Sequence, residues 1–344
     1  MTLAADILKE AVIDYCVQMG SDPMLVQGAG GNVSWKDGDT LWVKASGTWL
    51  ADARKKEIFV PVDLIALRTE IQAGNFAVAP MVKSASQLRP SIETLLHALM
   101  PHRVVVHVHA IEPLVHLVRS NPELEISQKL KTDAFWKIVR YQKPGEALAK
   151  AVAEVIRDSP GVNVLLLQNH GVVVGGADIA EVNYILTQLV SKLDARPNSF
   201  ASDNVRPEAI IIGDNQKYIP VDLPGIHSLA IDPYLFGRIK SDWALYPDHV
   251  VFLGHSSVCY DSAQLLKRDL SQNNLSELIF LRGRGVFATP GFSAAKQAQL
   301  KCYLDVIVRQ PQHTHLNVLN EHQVAELLNW DAERYRQTMS ASKQ

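Results

Sequence analysis

The sequence predicts a layered α/β fold, because stretches with the pattern of strands alternate with stretches that have helical spacing of apolar residues. Two apolar runs, starting at Val104 and Val164, are typical of buried strands, and a segment with a helical pattern lies beside each of them. The chain has 344 residues, of which 47% are apolar and 20% charged, the balance of a soluble globular protein with a large core. One large domain or two moderate ones are expected.

Helical periodicity and capping residues predict the helices, and apolar runs bounded by turn residues predict the strands. The segment that contains Glu93 begins with Pro90 and Ser91 and is broken at Pro101. The predicted helices cover residues 3–19, 62–74, 89–102, 144–159, 178–193 and, in the tail, 322–339. The predicted strands are centred on Val33 and on 41–43, cover 103–109, and lie within 163–176, where the run enters a tight turn.

Residues 195–209 are rich in proline, serine, asparagine and aspartate, which is typical of a linker or a domain boundary. The sequence therefore predicts a first domain over residues 1–200 and a second domain over residues 206–344.

The C-terminal half contains a faint echo of the N-terminal half. The segment 243–256 aligns without gaps with 97–110, and 279–295 aligns with 165–181. These matches indicate either a degenerate repeat of one strand–turn–helix plan or a chance similarity of two apolar patterns, and the sequence leaves both open. In the repeat interpretation, Leu253 replaces His107 and Arg284 replaces His170, so the copy would lack a metal.

Charge and cysteine content restrict the partners and the compartment. The formal net charge of −2 gives no reason to expect a nucleic acid or an anionic membrane as partner. Three cysteines far apart in sequence argue against a disulfide framework and fit a reducing cytoplasm. No apolar run approaches the roughly 18 residues of a membrane span, and the amphipathic start contains acids unlike a signal peptide. The expected location is the cytoplasm.

Three histidines are the strongest chemical signal. His107 and His109 lie one residue apart on a predicted strand, so both point to the same face, as a histidine-lined cleft or as part of a metal site. His170 ends another apolar strand, just before Gly171. Three imidazoles with an open fourth position are the arrangement of a catalytic zinc site. A second His-x-His pair, His313 and His315, lies in a polar segment, which we interpret as a surface loop.

Other residues would complete such a site. Glu93, on the helix before the histidine strand, could bind a metal, move a proton, or do both in turn. His97 shares its helix face and is either a partner of Glu93 or a packing residue. The stretch GAGGNVS over 28–34 could bring its backbone close to an anion, or it could be only a hairpin turn. It matches neither the Walker loop nor the dinucleotide-binding glycine pattern.

Five motifs in order, GAGGNVS, KASG, PSIETLLH, VVVHVHA and LLLQNHGVVVGG, resemble the class II aldolase/adducin family over roughly residues 5–195. The resemblance implies a three-layer α/β/α fold for the first domain, with the C-terminal part as an extension. The whole chain looks more like the aldolase half of the bifunctional rhamnulose-phosphate aldolase/dehydrogenase proteins.

The resemblance also implies roles for individual residues. His107, His109 and His170 would hold Zn²⁺ or another divalent cation, and Glu93 would bind that cation in the free enzyme and shuttle a proton during the reaction. Substrate or phosphate binding is implied for the residues Gly30, Asn32, Lys44, Ser46, Gly47 and Ser91.

Two departures from the family pattern affect phosphate recognition. Ile92 stands where many members have a second serine, which removes one hydrogen-bond donor. Lys44 stands where a threonine is common, and its charge could replace that donor. The family also uses a tyrosine to protonate the leaving oxygen. The candidates for it in this chain are Tyr141, Tyr218, Tyr234 and Tyr246.

The leading functional hypothesis is a zinc-dependent aldolase, a carbon–carbon lyase that reversibly cleaves a ketose phosphate or related hydroxy-ketone through a zinc-stabilised enediolate. An epimerase, dehydratase or decarboxylase of the same fold is the alternative within enzymes, and an adducin-like binding module is the alternative outside them. The expected partner is a small sugar or sugar phosphate. A homo-oligomer, such as a tetramer, is implied by the resemblance alone.

Overall fold

A mixed β-sheet organises the first 192 residues of the computed structural model, which describes residues 3–131, 135–200, 207–212, 216–270, 276–328 and 330–341. Within these ranges the sheet has seven strands in the order β3-β2-β1-β4-β7-β6-β5. All neighbours pair antiparallel except β5 and β6, which are parallel. The strands are β1 (Asn32–Asp37), β2 (Thr40–Lys44), β3 (Phe59–Asp63), β4 (Val104–Val108), β5 (Trp136–Val139), β6 (Val164–Leu167) and β7 (Gly171–Gly176).

Helices cover both faces of this sheet, which makes the three-layer α/β/α arrangement expected from the resemblance. Val104, Val106 and Val108 of β4 pack with α1 and α7, while Val105 packs on the opposite face with α3 and α6. The helices of this part are α1 (Leu3–Gly20), α2 (Leu64–Gln72), α3 (Thr94–Leu99), α4 (Ile111–Leu117), α5 (Glu123–Leu130), α6 (Glu146–Asp158) and α7 (Ile179–Lys192).

The helix predicted over 89–102 is shorter than expected. It starts at Thr94, so Glu93 occupies the N-cap position instead of lying within the helix. Residues 91–93 form a turn, in which the amide of Thr94 donates to the carbonyl of Ser91 and the Ser91 hydroxyl accepts from the amide of Glu93. This turn directs the Glu93 side chain toward the end of β4.

A second sheet lies in the C-terminal part. In the described ranges it has five strands in the order β10-β11-β12-β9-β8. The strands are β8 (Ile210–Ile212), β9 (Gln216–Pro220), β10 (Cys259–Tyr260), β11 (Leu278–Leu281) and β12 (Gly285–Ala288). The helices of this part are α8 (Ser228–Ile231), α9 (Pro233–Ser241), α10 (Pro247–Leu253), α11 (Ala263–Leu270), α12 (Ala294–Ile307), α13 (Glu321–Leu328) and α14 (Asp331–Ala341).

The second sheet repeats part of the first. Strands β10, β11, β12 and β9 have the same neighbours and the same relative directions as β5, β6, β7 and β4. The hairpin β11–β12 closes at Leu281 and Gly285, as β6–β7 closes at Leu167 and Gly171, and a helix follows each. The alignment of 279–295 with 165–181 therefore matches the structure.

The other proposed alignment is wrong. Residues 247–253 form helix α10, whereas the aligned residues of the first half include strand β4. The strand equivalent to β4 is β9, because Pro220 pairs with Phe287 in the way that His107 pairs with Val173. Pro220, and not Leu253, thus stands at the position of His107. The two apolar runs looked alike because a short buried helix and a buried strand share the same composition.

The tail also differs from the prediction. The single helix expected over 322–339 is two helices, α13 and α14, in the described part of this segment. Between them the ring of Trp330 packs against Gly145 and lies under the ammonium of Lys143, 4.6 Å from the ring centre. This contact fixes the chain at the start of α14, which then runs along the first sheet's loops.

The two halves share a core. Helix α4 of the first half contributes Ile111, Leu114 and Val115 to a buried cluster whose other members come mainly from the second half. The linker prediction includes residues 201–206, which lie outside the described residues, and the division into domains stays a prediction. Among the helices described, none is both long and apolar enough to cross a bilayer.

Candidate metal centre

Three buried imidazoles meet where β4 and the β6–β7 turn end. His107 is the fourth residue of β4, His109 follows that strand, and His170 lies in the turn. In the described part of the chain these residues form a cluster whose ligand nitrogens all lie within 4.8 Å of one another. The sheet order explains the meeting, because β7 is the direct neighbour of β4. The structure thus brings the three histidines that the sequence singled out into one cluster.

The outer nitrogens fix the orientation of two of the rings. His107 Nδ1 donates to the carbonyl oxygen of Val172 at 3.0 Å, and His109 Nδ1 lies 3.4 Å from the carboxylate of Asp248. With the protons on Nδ1, the two Nε2 atoms present lone pairs to each other across 3.1 Å. Two facing acceptors at this distance call for a cation between them.

Burial disfavours a proton on two of the three rings. Burial lowers the pKa of His107 below its usual value and brings the pKa of His170 down to about 3. Neutral imidazoles with converging Nε2 atoms are the ligands that a divalent transition metal prefers. The donor set therefore fits the metal that the sequence predicts.

Glu93 completes the inner group. One carboxylate oxygen lies 3.4 Å from His107 Nε2, and the other lies 3.4 Å from His170 Nε2. Burial alone would raise the pKa of this carboxyl, but its position beside the imidazole nitrogens of His107 and His170 and a hydrogen bond from Asn32 outweigh that effect and lower the pKa to about 2. The carboxylate is thus anionic at neutral pH.

A chain of hydrogen bonds holds Glu93 from outside. The Ser34 hydroxyl lies 2.7 Å from His97 Nδ1, His97 Nε2 bonds the side-chain oxygen of Asn32, and the Asn32 amide nitrogen donates to Glu93 at 2.8 Å. Burial lowers the pKa of His97 to about 3, so this imidazole is neutral and carries one proton. His97 is thus neither a direct partner of Glu93 nor merely a packing residue. It orients the Asn32 amide toward Glu93.

A pocket opens beside the histidines and Glu93. The pocket is lined by several residues to which the resemblance assigns substrate or phosphate contact. They come from the start of β1, from the KASG turn (residues 44–47) and from the turn before α3. These residues are Asn32, Lys44, Ser46, Gly47 and Ser91. Ile92 and Pro144 add an apolar edge.

Lys44 is engaged elsewhere. Its ammonium group donates to the carbonyl oxygens of Thr48 at 2.7 Å, Ala29 at 3.3 Å and Ala45 at 3.4 Å. Burial lowers the pKa of Lys44 to about 7. These contacts tie the 28–34 loop to the KASG turn. Lys44 therefore does not offer the free hydrogen-bond donor to a phosphate that the family resemblance suggested.

Residues of the second half reach the site, and the sequence analysis missed them. Asp248 of α10 and Arg336 of α14 line the pocket, and Gln299 of α12 contacts Asp248 at 3.3 Å. No spacing rule connects these positions to the histidines, which lie at least 78 residues away in sequence. The tyrosines named as proton donors, Tyr141, Tyr218, Tyr234 and Tyr246, are outside the described lining.

The second half also supports the turn that presents His170. Asn169 has a left-handed backbone with φ of 52°, and its amide nitrogen donates to the carbonyls of Leu245 at 2.7 Å and Asn317 at 2.5 Å. Asn317 in turn donates to the Asn169 side-chain oxygen at 2.7 Å. Left-handed backbone is unusual for residues other than glycine, and asparagine tolerates it best. The pair of asparagines holds the turn in this shape.

Comparison with known proteins finds a family match over the first half of the chain. Residues 10–192 match the model of the Class II Aldolase and Adducin N-terminal domain. An uncharacterized oxidoreductase, YuxG of Bacillus subtilis (strain 168), is 27% identical over 251 residues, which cover 67% of this chain and 35% of YuxG. The chain thus spans about a third of the length of that relative.

Two further matches each cover about half of this chain. The L-fuculose phosphate aldolase of Methanococcus maripaludis is 27% identical over 172 residues, which are 50% of this chain and 86% of that enzyme. Among solved structures, the N-terminal Class II Aldolase domain of a conserved Thermoplasma acidophilum protein is 27% identical. Its match covers 53% of this chain and 90% of that domain, with a TM-score of 0.45.

Proposed function

This chain belongs to the class II aldolase and adducin family, and we propose that it is a divalent-metal-dependent aldolase that reversibly cleaves a ketose phosphate or a related hydroxy-ketone. Zinc is the proposed metal because three histidine nitrogens with one open position form the ligand set of catalytic zinc sites. The single observation that supports the proposal most is the meeting of three buried Nε2 atoms with the Glu93 carboxylate.

The bound cation would supply Lewis-acid polarisation of the substrate carbonyl. His107, His109 and His170 would hold it. Glu93 then removes a proton from, or returns it to, the carbon next to that carbonyl, because its carboxylate is the anionic group nearest to the metal-facing nitrogens. The Asn32 hydrogen bond keeps one Glu93 oxygen fixed while the other is available to the substrate.

The anionic part of the substrate is proposed to lie between the KASG turn and Arg336. Ser46, Gly47 and Ser91 line this end of the pocket, and Arg336 also lines it, with its guanidinium paired to Asp248. The name of the Methanococcus relative, L-fuculose phosphate aldolase, supports a sugar phosphate as the substrate class.

The activity test compares the wild type with Glu93→Gln on a panel of ketose phosphates, with detection of the released aldehyde. We expect cleavage by the wild type and a decrease in kcat of about 10²–10⁴-fold in E93Q, the size of a lost general acid–base group. Glu112→Gln is the control, because Glu112 is a partly buried acid of α4 that does not line the pocket. Full turnover by E93Q would contradict the assigned proton transfer.

The same panel separates the aldolase from its alternatives within the fold. A metal-loaded wild type that epimerises, dehydrates or decarboxylates a substrate without releasing an aldehyde would replace the proposed reaction and keep the site. A chain that binds no divalent cation and converts no substrate would point to a binding module. The homo-oligomer implied by the family resemblance is a separate proposal, for which light scattering of the purified protein gives the mass.

A further inference from the structure

Asp248 is a buried carboxylate from the second half of the chain, and it lies directly behind a proposed metal ligand. Its side chain is 3% exposed, and one oxygen lies 3.4 Å from His109 Nδ1. The same oxygen accepts from Gln299 Nε2 at 3.3 Å. His109 Nε2 faces the other histidines, so Asp248 is on the opposite side of the ring from the proposed metal.

Arg336 of the last helix holds this carboxylate from the far side. Its two terminal nitrogens donate to the two Asp248 oxygens at 2.5 and 2.6 Å, which is the parallel, bidentate geometry of the strongest arginine–carboxylate pairs. Arg336 is 8% exposed, and Glu333 lies 3.4 Å from one of the same nitrogens. The orientation of Asp248 is therefore fixed by two hydrogen bonds to a side chain that is itself buried.

Gly30 provides the space in which Asp248 and His109 meet. A Cβ atom at Gly30 would lie 3.0 Å from His109 Nδ1 and 3.1 Å from the Asp248 carboxylate oxygen. Any side chain at this position would press on both groups. The residue that the sequence analysis assigned to substrate binding thus serves a close approach between the 28–34 loop and the second half.

We propose that Asp248 is a positioning residue that fixes the ring of His109 for metal binding, and that Arg336 holds Asp248 in place. Histidines that bind a metal through one nitrogen usually donate the other N–H to a carboxylate or carbonyl, which sets the tautomer and the ring orientation. His107 has the carbonyl of Val172 for this purpose, and His109 has Asp248. In this proposal the second half of the chain contributes the residues that orient one ligand of the metal centre.

This inference rests on the proposed metal site, and its test begins by measuring zinc affinity of the wild type by competition with a chromophoric chelator. We expect one tight site per chain. Asp248→Asn keeps the size of the side chain and removes its charge, and we expect zinc affinity to fall by about 10–100-fold. The absorption spectrum of the Co²⁺-loaded protein, which reports ligand geometry, should change in the same variant.

Two further variants keep the test independent of folding. The double variant D248N/R336Q removes both charges of the Asp248–Arg336 pair, so neither member is left without the other, and we expect it to lose zinc affinity as D248N does. Arg336→Lys keeps the charge but loses the bidentate geometry, and we expect a smaller decrease of about 3–10-fold.

Asp305→Asn is the matched control. Asp305 is a buried aspartate of α12 that pairs with Lys301 at 2.6 Å and Arg309 at 3.2 Å, outside the pocket. We expect D305N to lower the free energy of unfolding without a change in zinc affinity or in the cobalt spectrum.

The outcomes distinguish the two proposals. If the wild type binds zinc, and folded D248N and D248N/R336Q bind it with unchanged affinity and an unchanged cobalt spectrum, the positioning role is wrong while the metal site stands. If the wild type itself binds neither zinc nor cobalt, the proposed function fails and the positioning role fails with it.

Discussion

At the scale of single residues, the site depends on side chains whose hydrogen bonds determine what they can do. His97 illustrates this, because its ring bonds Ser34 and Asn32 and does not line the pocket, yet it sets the orientation of the Asn32 amide. If the amide turned over, its oxygen would face the Glu93 carboxylate, and two acceptors would meet in a buried place. The chain Ser34–His97–Asn32 prevents this.

The substitution His97→Leu tests this chain. It leaves the Asn32 oxygen without its partner, so we expect a loss of about 1–3 kcal/mol in the free energy of unfolding and a lower kcat, since Glu93 is then held less firmly. Denaturant titration and the aldehyde-release assay measure the two effects. His102→Leu is the control, because the described residues offer its Nδ1 no hydrogen-bond partner. An H97L enzyme with normal stability and normal kcat would refute the orienting role.

His249 is a residue whose burial makes stability depend on pH. It lies among the rings of Trp243, Tyr246 and Tyr303, and neither of its nitrogens has a hydrogen-bond partner among the described residues. Burial lowers its pKa to about 3. Below the unfolded pKa of about 6.5, the unfolded chain binds a proton that the folded chain does not, so stability falls as pH falls.

The variant His249→Phe removes this proton uptake and keeps an aromatic ring. We expect the difference in unfolding free energy between H249F and the wild type to shift in favour of the variant by roughly 1.4 kcal/mol per pH unit between pH 6 and pH 4. Denaturant titrations over this range measure it. If the free energies of unfolding of the two proteins changed with pH in parallel, His249 would not take up a proton on unfolding.

At the scale of elements, the last helix closes one side of the pocket. Besides Arg336, α14 places Met339 against Gly47 and Tyr335 against Arg89, whose guanidinium lies 4.5 Å from the ring centre. A Cβ atom at Gly47 would lie 2.5 Å from Met339 Cβ, which no real contact allows. The KASG turn and α14 fit together only because this position has no side chain.

A comparison of two glycine variants separates this contact from backbone strain. Gly47 and Gly38 both have positive φ, 76° and 57°, but a Cβ at Gly38 would meet nothing within 4 Å. Each alanine variant should lose about 1–2 kcal/mol from the left-handed backbone. Gly47→Ala should in addition displace α14, and hydrogen exchange of residues 331–341 measures this. Equal protection of α14 in G47A and G38A would contradict the closing role.

At the scale of the whole molecule, two related sheets carry different residues at the positions of the proposed metal ligands. In the second sheet, Pro220 and Arg284 occupy the positions that His107 and His170 occupy in the first. Proline offers no ligand atom and arginine is a permanent cation, so this arrangement does not suit a divalent metal. The second half instead contributes Asp248, Arg336 and the partner of Asn169 to the site of the first.

The sequence allowed most of the first half to be predicted. Period-two spacing placed His107 and His109 on one face, and the motif order indicated His170 and Glu93, because these signals are local. The Asp248–Arg336 pair could not be found in this way, since its members are 88 residues apart in sequence and reach His109 only through the packing of the two halves. Buried helix and strand composition also misled the alignment of 243–256 with β4, and a docked Trp330 divided the tail helix in two.

The most direct measurement is the metal content of the purified chain after equilibration with zinc and removal of the excess. We predict about one zinc per chain in the wild type and in His313→Ala, whose imidazole is exposed, and nearly none in His107→Ala and His170→Ala. A wild type with far less than one zinc, or folded H107A and H170A variants that retain it, would contradict the three-histidine metal centre.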